Sequence, residues 1–279
     1  MAWSGDFRQL RVAGTEGLDL TAIGVRCGIR FNTEVMDNPR RRRAAAACLV
    51  LAALTAAGCA PGQGAPGGSA LDSGSHVNTT SYTISQPVTQ LTLDNLSGTV
   101  SVTSADGPVS VTETLTYTDD KPGTSHQVTG DTLALASTGC PRVRALNGRC
   151  QVRWEVRAPA ATNLRLSNES GGLTVRGMSG TVTAETQSGG VEGRNLTSRS
   201  VTATAQSGGV KLTFTQPPDQ VTASSQSGGV DVVLPTGVSY AVQTDTQSGG
   251  QRVRVPTDSS SPHKISASTQ SGSVEVSSD

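Results

Sequence analysis

The sequence predicts an all-β fold: a β-solenoid (β-helix-like) of ~20-residue coils with two short strands per coil. Three observations predict it. A Ser-Gly phrase recurs at Ser170, Ser188, Ser207, Ser227, Ser248 and Ser271, at spacings of 18, 19, 20, 21 and 23 residues. Apolar residues alternate with polar ones before and after each copy, the period-two pattern of a strand with one buried face. Aromatic residues make up only 3% of the chain while it holds 32 glycines, so the core must be built from small aliphatics.

The first strand of each coil is fixed by two inward positions. Six residues before the serine stand Leu164, Val182, Val201, Val221, Val242 and Ile265. Four before it stand Leu166, Ala184, Ala203, Ala223, Thr244 and Ala267. Between them lie Arg165, Thr183, Thr202, Thr222, Gln243 and Ser266. The glycines after the serine permit a tight turn. A phosphate cradle would need the lysine and the strand-to-helix context that are missing here. The second strand follows with Val191, Val210, Val230 and Val274 three past the serine, Gln251 being the exception. Leu212, Val232, Val253 and Val276 follow five past it.

The length variation falls in the other turn, which carries Pro217-Pro218, Pro235-Thr236-Gly237, Pro256 and Pro262. One coil cannot bury its apolar face alone, whereas coils stacked at ~4.8 Å can. Gln187, Gln206, Gln226, Gln247 and Gln270 are then expected to stack along one edge as an amide ladder.

Ahead of the repeats, residues 1–35 show no core pattern and read as a non-native or unstructured leader, with translation starting at Met1 or Met36. Residues 36–58 read as a signal peptide: Arg40 to Arg43 precede an apolar run from Ala44 to Ala57. That run is shorter than the ~20 apolar residues of a membrane span. Ala56-Ala57-Gly58-Cys59 resembles a lipobox, which makes Cys59 the lipidated first residue of the mature chain. Residues 59–77 are a Gly/Pro/Ser/Ala linker.

Residues 78–279 are expected to form the solenoid. Leu91, Leu93, Val100 and Val102 repeat the phrase around Ser97. The ADGPVSV stretch from Ala105 to Val111 reads as another rung, and Leu173 to Val182 as an intermediate copy. The regularity breaks over 117–158, where Val152, Trp154 and Val156 alternate with Arg153, Glu155 and Arg157. Of five cysteines, Cys27 and Cys48 precede the lipobox, and Cys140 and Cys150 remain, ten apart. In an exported chain they are expected to pair as a disulfide. Two cysteines without partnered histidines make a poor metal site, so no metal and no cofactor is expected.

The whole chain has 22 basic and 22 acidic residues, of which eight and five precede Cys59, so the mature chain carries about −3. That argues against nucleic-acid binding. Arg142, Arg144, Arg149, Arg153 and Arg157 form a local basic cluster, a candidate polyanion site. His76 lies in the linker and His263 in a Ser/Pro-rich turn, so no catalytic triad assembles around them or His126. Glu185 and Asp245 fall at equivalent positions with Thr204 and Ser224 between them, which is not a paired-carboxylate site. No catalytic residue is therefore expected. Sugar rings often stack on aromatics; Phe214 and Tyr240 flank variable turns and could be exposed, but they do not form a stripe.

The lipobox, the linker, Asn95-Leu96 followed by SGTVSV, the Cys-x9-Cys insert and tandem TQSGGV together resemble the adhesin-like family of domains of unknown function, number 4097. The resemblance covers roughly residues 85–279. It implies a β-solenoid at the cell surface and carries over no catalytic residue. The expected function is that of a non-enzymatic, lipid-anchored, extracytoplasmic binding or scaffold protein. Its expected partners are the membrane, through the anchor, and envelope or extracellular polymers or an envelope protein. A carbohydrate-active β-helix enzyme and an envelope sensor acting through a protein partner are the alternatives.

Overall fold

The computed structural model describes residues 74–141 and 148–279, all strands, turns and loops. In chain order the strands are β1 (His76–Ile84), β2 (Gln90–Ser97), β3 (Val100–Ser104), β4 (Val109–Tyr117), β5 (Gly123–Thr129), β6 (Thr132–Thr138) and β7 (Cys150–Ala158). Then follow β8 (Asn163–Ser170), β9 (Leu173–Arg176), β10 (Val182–Ser188), β11 (Val191–Leu196), β12 (Ser200–Ser207) and β13 (Val210–Phe214). The last six are β14 (Gln220–Ser227), β15 (Val230–Leu234), β16 (Ala241–Ser248), β17 (Gln251–Arg254), β18 (Lys264–Ser271) and β19 (Val274–Ser278).

Each coil places one strand in each of two sheets. A ten-stranded sheet runs β1-β4-β7-β3-β9-β11-β13-β15-β19-β17, and a nine-stranded sheet runs β16-β18-β14-β12-β10-β8-β2-β6-β5. The coils pair in parallel and in register, so Val182, Val201, Val221 and Ile265 fall in one row and Val191, Val210, Val230 and Val274 in another. These rows are buried, and the core lies between the sheets.

The first glycine of each turn is set by its neighbours. Gly208 has φ +137°, and a Cβ there would sit 2.2 Å from the Gly189 carbonyl oxygen. The second glycine is looser: a Cβ on Gly209 would sit 3.1 Å from the Gly229 oxygen. Thr99 and Ser273 take that place in other coils.

Beneath each turn runs a ladder of short polar side chains, two residues before the serine. Asn168 Nδ2 donates to the Gly98 carbonyl at 3.1 Å and Thr186 Oγ1 to Gly171 at 3.1 Å. Ser225 donates to Gly208 at 2.8 Å, Thr269 to Gly228 at 2.8 Å and Thr246 to Gly272 at 3.1 Å. Each satisfies a carbonyl that the rung-to-rung backbone bonds pass over. Ala205 stands in the same row and is fully buried without a hydroxyl. Ala205→Ser is therefore expected to stabilise the chain by about 1 kcal/mol, by supplying the bond that Gly189 lacks. An unchanged or lowered urea midpoint would refute this.

Three expectations are corrected here. The Ala105–Val111 stretch is not a rung, because β4 runs antiparallel to β7. Leu173 and Val175 belong to β9, the second strand of the Ser170 coil, and not to an intermediate copy. β1 begins at His76, so the fold takes up the end of the expected linker. The expected break over 117–158 is present and consists of β5, β6 and β7. β5 and β6 form an antiparallel hairpin, while β7 lies between the antiparallel β4 and the parallel β3.

The joint between this end and the regular coils is a buried polar network. Asn95 Nδ2 donates to Asn168 Oδ1 at 3.0 Å. Asn95 Oδ1 accepts from Ser137 Oγ at 2.7 Å and from Trp154 Nε1 at 3.2 Å. Trp154 is fully buried, as a residue between the two sheets should be. Cys140 and Cys150 form a disulfide, as expected.

At the far end the coil order departs from chain order. β18 and β19 sit between the β14/β15 coil and the β16/β17 coil. The exceptions in the repeat explain why. The coil of β16 and β17 puts Thr244 and Gln251 where other coils put aliphatics, and its Val253 is 40% exposed. Thr244 and Gln251 hydrogen-bond each other across the end of the core at 2.8 Å. That polar pair would lose solvent contact inside the stack, whereas Ile265, Ala267, Val274 and Val276 suit an inner coil. The open edge thus belongs to β16 and β17 and not to the final coil.

Candidate functional site

Three surfaces outside the core can carry function. The first is the outer face of the nine-stranded sheet. Thr183, Thr202, Thr222 and Ser266 stand in register on four successive rungs. A second row holds Glu185, Thr204, Ser224, Ser268 and Asp245, with Ser224 Oγ 3.2 Å from Thr204 Oγ1. Three hydroxyl residues, not two, therefore separate Glu185 from Asp245, at ~4.8 Å per rung. The two carboxylates cannot act on one bond. The stacked glutamines beside these rows are exposed, and among the described residues no hydrogen bond joins one to the next. The amide ladder is not formed.

The second surface is a groove of about 610 Å3 on the ten-stranded sheet. Its floor is the backbone of Gly172, Gly190, Gly209 and Gly229, continued by Ser273. Missing side chains at successive rungs create it. Its wall carries Glu192, Lys211, Asp231 and Glu275. Lys211 pairs with Asp231 at 3.5 Å and Arg254 with Glu275 at 3.4 Å.

The third lies on the same sheet nearer β7, where Arg149, Arg153 and Arg157 are exposed. Arg142 and Arg144, the other members of the expected cluster, lie outside the described residues, as does Cys59. The structure adds Arg176 and Arg194, which sequence spacing did not associate with the cluster. Thr103 pairs with Arg157 on one side and Arg176 on the other, and Arg176 pairs with Arg194. The signal was present in the sequence, because Arg176 and Arg194 both stand six residues past a repeat serine.

The aromatic residues do not form a sugar platform. Phe214 and Tyr240 are buried at 1% and 0% exposure, because both turn inward from the ends of strands and fill space that the small aliphatics leave. Tyr240 donates its hydroxyl to the Pro235 carbonyl at 2.8 Å, and burial raises its pKa. His263 lies against the Pro218 carbonyl, with Nδ1 2.8 Å away.

At the other end Tyr82 donates to Glu113 at 2.5 Å and stacks on His126 with ring centroids 4.5 Å apart. Burial first, then the hydrogen bond to Glu113 and its charge, push the Tyr82 phenol well above its ordinary 10.0. The folded chain then holds this proton more tightly than the unfolded chain does. The stabilisation is complete below about pH 10 and is lost as pH rises beyond it. Tyr82→Phe is expected to lower stability at neutral pH, by stranding the Glu113 acceptor, and to flatten the alkaline decline. Urea unfolding between about pH 8 and pH 12 tests this, and an unchanged alkaline slope would count against it.

The family model described as Toastrack DUF4097 matches residues 75–277. A crystal structure provisionally named as a cell adhesion protein, from Clostridium sporogenes ATCC 15579, is 11% identical with a TM-score of 0.44. The match covers 73% of this chain and 100% of that one. A provisionally named adhesin from Bacteroides fragilis NCTC 9343 is 14% identical with a TM-score of 0.41, covering 73% and 97% of the two chains. A provisionally named lipid binding protein from Parabacteroides distasonis ATCC 8503 is 14% identical with a TM-score of 0.29, covering 72% and 96%. At such scores no functional argument rests on these likenesses. No curated protein matches the chain.

Proposed function

The chain belongs to the Toastrack DUF4097 family, and on that footing we propose that it is a non-enzymatic, adhesin-like binding or scaffold protein of the cell surface. Cys59 carries the lipid anchor after removal of residues 36–58, and the Gly/Pro/Ser-rich segment behind it tethers the solenoid. The observation that carries the binding reading is the hydroxyl row of Thr183, Thr202, Thr222 and Ser266. A flat file of identical short donors and acceptors at one-rung spacing matches a linear polymer that repeats hydroxyls along its own length. A soluble metabolite would instead call for a closed, largely apolar pocket. Catalysis would call for groups of differing chemistry brought to one point.

The test is co-sedimentation of the purified full-length chain with cell wall and a panel of insoluble polysaccharides. Saturable pelleting with one polymer, weakened by charged substitutions such as Thr202→Glu with Thr222→Glu, supports the reading. No pelleting with any polymer overturns it. The anchor is tested separately: Cys59→Ser should move the chain from the membrane fraction to the soluble one.

A further inference from the structure

The two halves of the ten-stranded sheet treat charge differently on their outer face. Around β13, β15, β19 and β17, where Asp231 and Glu275 stand side by side, each of these carboxylates is met by a cation from a neighbouring strand, Lys211 meeting Asp231 and Arg254 meeting Glu275. That is the ordinary way to make a sheet surface neutral. Around β7, β3, β9 and β11 the rule fails. Arg157 and Arg176 flank Thr103 on adjacent strands, and Arg176 stands directly beside Arg194. Of these arginines, Arg194 has a carboxylate partner, that of Glu192 on its own strand. Among the described residues, Arg153, Arg157 and Arg176 have no ion-pair partner, although Glu155 lies on the same strand face as Arg153 and Arg157.

Like charges directly opposed on a sheet are destabilising. Three exposed guanidiniums in one row, with Thr103 between the first two, form a surface that an anion would neutralise. At ~4.8 Å per rung, Arg157 and Arg176 stand ~10 Å apart and Arg194 ~5 Å further on. One small anion cannot serve all three, but the anionic groups of an extended chain can. Guanidinium forks match phosphate oxygens two at a time.

We propose that Arg153, Arg157, Arg176 and Arg194 form a binding site for a linear polymer bearing phosphate groups, lying across β7, β3, β9 and β11. This site is separate from the hydroxyl row on the opposite sheet. The glycine-floored groove beside it is not the track, because Glu192, Asp231 and Glu275 line that wall against Lys211 alone.

The experiment uses the full-length chain and long-chain inorganic polyphosphate, with affinity followed by titration at several salt concentrations. Wild type should bind, and binding should weaken steeply with salt. Arg157→Gln with Arg176→Gln should weaken it by about a hundredfold, roughly tenfold for each charge-assisted contact. Lys211→Gln with Arg254→Gln removes the same charge from the other half of the sheet and should change affinity less than about threefold. Both doubles replace exposed side chains, and unchanged circular dichroism would establish that they fold. Equal losses in the two doubles, or no loss in the first, overturn the site. So does failure of wild type to bind at low salt, or tighter binding of polygalacturonate, whose charges are carboxylates. Arginine-dependent binding without sedimentation on any polysaccharide would support this site while removing the hydroxyl-row reading. Sedimentation with no polyphosphate binding would do the reverse.

Discussion

Gly208→Ala is expected to destabilise the chain by about 4 kcal/mol, whereas Gly209→Ala, one residue on, costs about 1 kcal/mol. The first glycine of the turn holds φ +137°, a conformation that costs an L-residue about 1–3 kcal/mol. Its Cβ would also overlap the Gly189 carbonyl oxygen at 2.2 Å, and that obstacle is backbone pinned into the next coil. Relief requires the two rungs to separate, which breaks the bond from Gly189 N to Ser207 O. At Gly209 φ is not in the positive range and the nearest atom would be 3.1 Å away, so a shift of a few tenths of an ångström suffices. Urea unfolding of the two variants measures the contrast. Equal costs would show that the turn is held by composition alone and not by the close approach of successive carbonyls.

Asn95→Leu is expected to cost about 4 kcal/mol despite its similar volume and added apolar surface. It leaves the Trp154 indole N–H, the Ser137 hydroxyl and the Asn168 carbonyl oxygen buried without their present partner. Each stranded group carries a desolvation cost of about 1–3 kcal/mol, partly relieved by local shifts. The asymmetry of hydrogen-bond energetics supplies a sharper test. Removing the stranded groups as well, with Ser137→Ala and Trp154→Phe, should return at least about 1 kcal/mol to the Asn95→Leu background. In the wild-type background the same two changes should destabilise. Purely additive effects would mean that the network does not hold the irregular end to the coils.

The regular coils were legible because their information is periodic. Aliphatics six and four before each serine predicted the buried rows, and the Gly-Gly turn predicted where the chain reverses. The polar ladder two before the serine escaped because its members differ: Asn, Thr, Ala and Ser share a role only once Gly carbonyls are seen beneath them. The burial of Phe214 and Tyr240 was left open because proximity to a turn says nothing of the direction a side chain takes at a strand's end. The arginine row was half visible. Arg153 and Arg157 alternate along one strand, but Arg176 and Arg194 join them only through pairing between residues distant in sequence. The swap of the last two coils was hidden for the same reason, though Gln251 and Thr244 had marked one coil as unsuited to a buried place.

That swap has a consequence for how the molecule is made. β16 and β17 leave the ribosome before β18 and β19, yet can dock only against them. Assembly by simple addition of each coil to the one before must therefore stop at β15. The next coil waits unstacked until its successor has been synthesised and has taken the vacant place. The stretch from Lys264 to Ser278 is then the keystone of that end, and its arrival seats two coils in a single event.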